Sequence, residues 1–344
     1  MKNLQGLTKE RLAELLMKMA NVKAVLIGDM CIDIYWVGDM TKSRLSRETP
    51  HFPLPIVEER MSAGAGGNAA VNLATLCPGA VTVGIIGDDW RGVCLKNVFE
   101  KMGMNTSGIV VAPQKITNAY CKPMRKGYLG IEVEDPRLDF ESYEPMSEEL
   151  EAKIIEKINT FAPKADIICV SDQFENGCIT PTVRDVINGY AKQGKLVVVD
   201  SRSRIGLYHN CILKPNEIEC ARATDSVPLD ANATEQDIMR AAEMLREKTN
   251  SDVCLTLGSR GCLIHREGNY TRVNAIKVDP PVDTVGAGDC FLPAFSLAVA
   301  GGATDSEAGI IGSMASAICV KKLNTTGSAC ATELLELYER KAED

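Results

Sequence analysis

Five times between residues 24 and 258 the chain returns to one kind of segment, a short apolar run that closes on glycine, serine or aspartate. The runs are AVLIGD (24–29), VTVGIIGDD (81–89), ADIICVSD (165–172), KLVVVD (195–200) and DVCLTLG (252–258). A strand that is apolar on both faces must be covered on both faces, as in a parallel sheet. Stretches with helical spacing of apolar residues lie between and beyond the runs. They cover 8–20 with Thr8 as N-cap, 68–77, 91–103 closed by Gly103, 147–160, 181–193, 234–248, 287–300, 304–321 and 331–342. Strands alternating with helices predict right-handed crossovers and an α/β fold, a mostly parallel sheet with helices on both sides. Residues 212–219 read as a strand running into a loop, and 262–273 as a hairpin.

Two regions depart from this pattern. Residues 52–61 alternate and carry prolines, as an edge strand does. Residues 105–145 are more polar and read as strands outside the main sheet. The expectation is one domain over 1–344, with a small β flap from about 33–60 and 115–140. In open α/β sheets ligands bind beyond the carboxyl ends of the strands, so chemistry is expected there.

Composition narrows the function. The 38 basic and 46 acidic residues leave a net charge of −8, which argues against a nucleic-acid binder with a basic face. Ordinary apolar content excludes a disordered chain, and glycine without a three-residue period excludes collagen. No apolar stretch reaches 18 residues, and the N-terminus lacks a secretory core, so a cytoplasmic protein is expected. The 13 cysteines are scattered without Cys-x-x-Cys spacing, and several sit inside apolar runs. They read as reduced core residues.

The strongest motif is PPVDTVGAGDCFLPAF (280–295). Gly286, Ala287 and Gly288 place small residues where a loop becomes a helix, so an anion can approach backbone N–H groups there. Asp289 follows in the first turn, where a carboxylate can orient and deprotonate an attacking hydroxyl. Asp33 closes the segment after the first strand, at the expected ligand edge. Gly64, Gly66, Gly67 and Asn68 precede a helix, either as a plain turn or as a surface on which a sugar can lie. Asn216 and Glu219 offer oxygens suited to magnesium through water. A dinucleotide-binding dehydrogenase is excluded, because no Gly-x-Gly-x-x-Gly follows the first strand.

DTVGAGD (283–289) resembles the C-terminal signature of the PfkB/ribokinase family of sugar kinases, and the resemblance runs along nearly the whole chain. GDMCID (28–33), SAGAGGNAAVNLA (62–74), KPNEIE (214–219) and TLGSRG (256–261) resemble further family motifs in the family's order. Cys77 departs from the usual glycine or serine of the N-terminal signature. The resemblance implies a ribokinase-like three-layer α/β/α kinase using ATP and Mg²⁺. Asp289 would be the base and Gly286–Gly288 the anion hole. Asp33, Gly66, Gly67 and Asn68 would meet the sugar. Lys214, Asn216, Thr256, Gly258, Gly261, Thr325 and Gly327 would lie on the nucleotide side. Glu219 and Asn216 would reach magnesium through water. Asp283, with the 325–327 loop, would hold a monovalent cation, usually potassium. A homodimer through the flap strands is also implied.

GDMCIDIYWVGD (28–39), RLSRETP (44–50) and RLDFES (137–142) look like the kinase domain of bacterial heptose-7-phosphate kinases. That branch phosphorylates O1 of D-glycero-D-manno-heptose 7-phosphate. Arg47, Thr49 and Ser201-Arg202 differ from the branch pattern. No His-x-Gly-His segment of a fused nucleotidyltransferase occurs, so any adenylylation is expected from a separate protein. A phosphorylated substrate needs cations, and Arg44, Arg47, Arg125, Arg137, Arg202 and Arg204 are candidates, Arg44 and Arg137 foremost. Kinases for fructose, ribose, another sugar phosphate or a nucleoside remain open, as does an inactive binding subunit.

Overall fold

The computed structural model describes residues 4–226, 228–323 and 325–343. Its strands in chain order are β1 (Ala24–Gly28), β2 (Met30–Asp39), β3 (Ile56–Ala65), β4 (Val81–Gly87), β5 (Asn105–Ala112), β6 (Asn118–Lys126), β7 (Glu132–Glu134), β8 (Leu138–Phe140), β9 (Ile167–Asp172), β10 (Leu196–Ser201), β11 (Ile212–Leu213), β12 (Asp252–Thr256), β13 (Cys262–Arg266) and β14 (Asn269–Val273). The helices are α1 (Lys9–Met19), α2 (Gly66–Leu76), α3 (Trp90–Lys101), α4 (Glu148–Phe161), α5 (Pro181–Lys192), α6 (Glu217–Thr224), α7 (Glu235–Thr249), α8 (Ala287–Ala300), α9 (Asp305–Cys319) and α10 (Ala331–Glu343). Among the described residues no helix is long and apolar enough to cross a membrane.

The main sheet has the order β14-β13-β12-β11-β10-β9-β1-β4-β5. It is parallel from β5 through β12, and only the β12–β13 and β13–β14 pairs are antiparallel. The apolar runs supply its centre, and their alternation divides two cores. Leu26, Cys169 and Val198 face one side with residues of α1, α2, α8, α9 and α10. Val25, Ile168, Val197 and Val199 face the other with residues of α4, α5, α6 and α7. This is the ribokinase-like three-layer arrangement that the motifs predict.

A second sheet stands beside the first, in the order β3-β2-β6-β7 with β8 paired to β6. β2 starts two residues after β1 ends, so the chain passes from an interior strand of one sheet into the other. Asp29 sits at this corner. Its carboxylate accepts from the backbone N–H groups of Gln173, Phe174 and Cys178. Burial, then the charge of Asp172, pushes its pKa up to about 6 against those three donors.

Two readings of the sequence need correction. Residues 105–112 form β5, the edge of the main sheet, parallel to β4. Their polar alternation is that of an edge strand with one wet face, not of a strand outside the sheet. Residues 212–219 contain only two strand residues before α6 begins. Asn216 and Glu219 form a reciprocal capping box that starts this helix. The cysteines meet expectation: all 13 are free, and only Cys94 and Cys330 are not fully buried.

Candidate active site

The site is built where the carboxyl ends of β9 to β12 meet the N-terminus of α8. Gly286 caps α8 with φ of +79°, a left-handed conformation that costs an L-residue strain. A Cβ there would also lie 2.8 Å from Asn68 Nδ2. The first N–H groups of a helix lack an intrahelical carbonyl and carry the positive end of the dipole, and here Ala287 N meets Thr284 O only at 3.3 Å. Lys214 adds a cation: its Nζ is 3.7 Å from the position of a Cβ on Gly288. Nζ also bonds Asp200 Oδ2 at 3.1 Å. Burial would discharge this lysine, but Asp200 and Glu219 hold its pKa above the ordinary value.

Asp289, partly buried, is the third residue of α8. Its Oδ2 accepts from Asn68 Nδ2 at 3.1 Å. Burial pushes its pKa up to about 7; the Asn68 bond and Lys214 oppose this, while Asp200 and Asp33 add to it. A carboxyl poised near neutrality is suited to taking a proton from a hydroxyl. Asn68 is held in turn by Asn72, whose Nδ2 also donates to Gly327 O at 3.3 Å.

The nucleotide-side candidates fall in two places, Asn216, Thr256, Gly258 and Gly261 around the end of β12, and Thr325 and Gly327 in the loop that follows α9. Thr256 bonds Pro215 O through both N and Oγ1. Gly258 is exposed and left-handed, and Gly261 is closed against Val273 O. Beside Gly258 opens a cleft of about 880 Å³ whose walls include Glu217, Ala221, Leu229, Leu257 and Ser259. Arg260 braces it by bonding Glu217 and Leu229 O. Neither α6 as a wall nor Arg260 as a brace was visible in the sequence. Asn216 Oδ1 caps α6 by accepting from Ile218 N and Glu219 N, and Glu219 Oε2 accepts from Asn216 N. Burial, then Asp200, pushes Glu219 up to about 7. Thr325 is half-buried. Gly327 is buried and turns its carbonyl inward, towards Asn72 and Cys290 Sγ. Asp283 accepts from Val285 N and donates its own N–H to Val320 O.

On the acceptor side, Asp33 is buried on β2, level with Tyr120 of β6 and Ser62 of β3. Gly64 leaves room for it: a Cβ there would be 2.3 Å from Asp33 Oδ1. Gly66 and Gly67 pack against the backbone of Asp29 and Cys31, and Gly66 N donates to Asp29 O. Their Cα faces are thus filled by the protein itself. Lys122, a residue the sequence reading missed, bonds Asp33 Oδ2 at 3.0 Å and Tyr35 Oη at 2.8 Å. Only its place on the strand next to Asp33 could have marked it.

The arginines divide sharply. Arg204 is consumed by Asp172, with further bonds to Phe174 O and Glu175 O, so it is no longer a phosphate candidate. Arg125 pairs with Asp135. Arg44 and Arg47 lie exposed in the 43–55 loop. Arg137 stacks over the Tyr120 ring at 4.1 Å and pairs with Asp139. Burial pushes the Tyr120 hydroxyl up to about 12, and the charge of the exposed Arg202 after β10 pulls it down. Arg137 also acts on the charge of Asp33.

This geometry agrees with comparisons to known proteins. The pattern of the pfkB family carbohydrate kinases matches residues 23–331. Bifunctional protein HldE of Bradyrhizobium sp. (strain ORS 278) is 30% identical over 95% of this chain, which spans 66% of that relative's length. Ribokinase from Thermotoga maritima aligns over 93% of this chain and 99% of its own, with a TM-score of 0.66 and 25% identity. Phosphofructokinase-2 from Escherichia coli, in complex with potassium, aligns over 94% and 100% with a TM-score of 0.73 and 17% identity, a likeness of fold. The chain belongs to the pfkB family of carbohydrate kinases, phosphotransferases that act on a hydroxyl acceptor.

Proposed function

We propose that this kinase transfers the γ-phosphoryl group of ATP to a sugar that already carries a phosphate, with O1 of D-glycero-D-manno-heptose 7-phosphate as the best candidate. The observation that carries this reading is Arg137, which stacks over Tyr120 at 4.1 Å and acts on the charge of Asp33, while the charge of the exposed Arg202 reaches the Tyr120 hydroxyl from the end of β10. Two guanidinium groups acting on one tyrosine suit a phosphate on the far end of the substrate. The likeness of residues 28–39, 44–50 and 137–142 to heptose-7-phosphate kinases, and the similarity to HldE, support the choice of sugar.

In this reading the chain acts as one catalytic unit, and strands β2, β3 and β6 to β8 form a lid that keeps water from the phosphoryl group. Asp33 accepts sugar hydroxyls. Asp289 takes the proton from the attacking hydroxyl. The N–H groups of Gly286, Ala287 and Gly288, with Lys214, hold negative charge on the transferred group. Thr256, Gly258, Gly261, Thr325 and Gly327 line the nucleotide's path, which continues into the cleft beside α6.

Magnesium fits this site as an ion brought with the phosphates. Among the described residues no three His, Cys, Asp or Glu side chains could hold a metal. Asn216 and Glu219 each give an oxygen to the α6 cap, which leaves them to act through water. Bound there, magnesium would neutralise phosphate charge. Asp283, tied to Val320 and so to the segment leading to 325–327, would hold a monovalent cation. Tyr128, Leu129, Ile131 and Val133 leave an exposed apolar strip along the lid, and we assign a homodimer to it.

The test is ADP release with ATP and magnesium against a panel of sugars and sugar phosphates, with Arg202→Ala and Asp289→Asn beside the wild type. Turnover confined to phosphorylated sugars, with the acceptor KM raised by Arg202→Ala, is expected. Equal turnover with the free sugar would overturn the phosphate reading. It would mean that Arg137 stays with Asp139 and that the acceptor is neutral.

A further inference from the structure

We propose that Lys122 is a positioning residue for the acceptor: it pins one oxygen of Asp33 and leaves the other without a protein donor, to be satisfied by sugar hydroxyls. The inference rests on the reading of Asp33 as an acceptor ligand. Its grounds are geometric. Asp33, Tyr35, Tyr120 and Lys122 stand on one face of the second sheet, because β2 and β6 are in register with Asp33 opposite Tyr120 and Tyr35 opposite Lys122. Ile32, Ile34 and Cys121 face the other way, into the core. Lys122 is 6% exposed and Asp33 2%. The ammonium spends two donors, on Asp33 Oδ2 and Tyr35 Oη. Asp33 Oδ1, equally buried, has no protein partner. A buried carboxylate oxygen without a donor is costly, so its persistence beside the candidate site points to a ligand.

The same arrangement sets the charge of Asp33. Burial lifts its carboxyl above the ordinary range, and Lys122 pulls it back most strongly. The other charged or titratable groups whose charge couples to it are Arg137 beside β8, Asp139 on β8, Cys31 and Tyr35 on β2, Cys121 on the far face of β6 and Asp289 on α8. None of the others is a cation bonded to it. Without Lys122 the carboxyl rises further and is protonated nearer neutrality. It then accepts hydroxyls poorly, and recovers as the pH rises.

The experiment measures KM for the acceptor and for ATP in Lys122→Met, Lys122→Arg, Gly64→Ala and Asp33→Asn between pH 6 and 9. The acceptor is whichever sugar the panel shows to be turned over. Lys122→Met is expected to raise the acceptor KM about tenfold or more at pH 7, the worth of one charge-assisted hydrogen bond. The defect should shrink towards pH 9, with the ATP KM within about twofold of wild type. Lys122→Arg, which keeps the charge, should recover part of the loss. Gly64→Ala leaves both charges in place and crowds the Asp33 carboxyl from the Oδ1 side, so it should raise the acceptor KM at every pH. It also keeps the test decisive if Lys122→Met fails to fold. An effect of Asp33→Asn on acceptor KM with none of Lys122→Met or Gly64→Ala would overturn the role of Lys122. No effect of Asp33→Asn would overturn the acceptor site itself. A pH-independent loss in Lys122→Met that falls equally on both substrates would reduce Lys122 to a structural part.

Discussion

At the scale of single residues, the proposed base carries a measurable signature. Asp289 titrates at about 7 in the folded chain against 3.8 as an ordinary aspartate. The ionised form is the active one, so kcat/KM should rise with pH and level off above about 7. Asp289→Asn should lower turnover at least about 100-fold. The same shift has a sign for stability. A raised carboxyl favours folding below pH 3.8, and that advantage is lost as the pH rises through 7. The Asn variant escapes this loss and can still accept from Asn68. It should therefore be more stable than wild type at pH 8, by on the order of 3 kcal/mol, with the gap closing towards pH 4. Melting curves at both pH values decide it, and a constant gap would mean that Asp289 is ionised throughout. Asp289 was legible from its place after three small residues. Lys122 was not, because a lysine in a polar strand looks like a solvated one until the register sets it against Asp33.

Among the elements, the central strands were plain because each is apolar on two faces, whereas α6 was hidden because its cap looks like a ligand motif. Asn216 and Glu219 were singled out as oxygen donors, and the helix start uses those same oxygens. The two roles separate experimentally. Asn216→Ala should cost about 1 kcal/mol through the lost cap, while Asn216→Ser keeps the cap and the stability. If Asn216 also reaches the nucleotide or its magnesium through water, the Ser variant will still show a raised KM for ATP. An unchanged KM would leave Asn216 as a helix cap alone. β5 was misplaced for a related reason: an edge strand of a buried sheet carries the alternation of a sheet that stands free. The glycines at 64, 66 and 67 signalled close approach correctly, but the backbone of Asp29 and Cys31 fills the space at the last two.

For the whole molecule, the exposed residues Leu129 and Ile131, 87% and 64% accessible, predict self-association through the lid. If the wild type sediments as the proposed dimer, Ile131→Glu should be monomeric at equal concentration, and a monomeric wild type would remove the assignment. The joints between the two sheets left no mark in the sequence, since they are made by single side chains far apart along it. One such joint is Thr326. Its hydroxyl lies 2.7 Å from both Ser62 Oγ and Ala63 O on β3, while its neighbour Gly327 is held by Asn72. The loop assigned to the nucleotide is therefore fastened to the strand beside the proposed acceptor site. Whatever ordering one ligand imposes on this fastening is ordering the other need not repeat, and thermodynamics makes the favour mutual. A non-hydrolysable ATP analogue should bind more tightly in calorimetry when the acceptor is present, and the acceptor should gain by the same factor from the analogue. Thr326→Val, by cutting the tie, should bring both factors towards one, so that the two substrates enter as strangers.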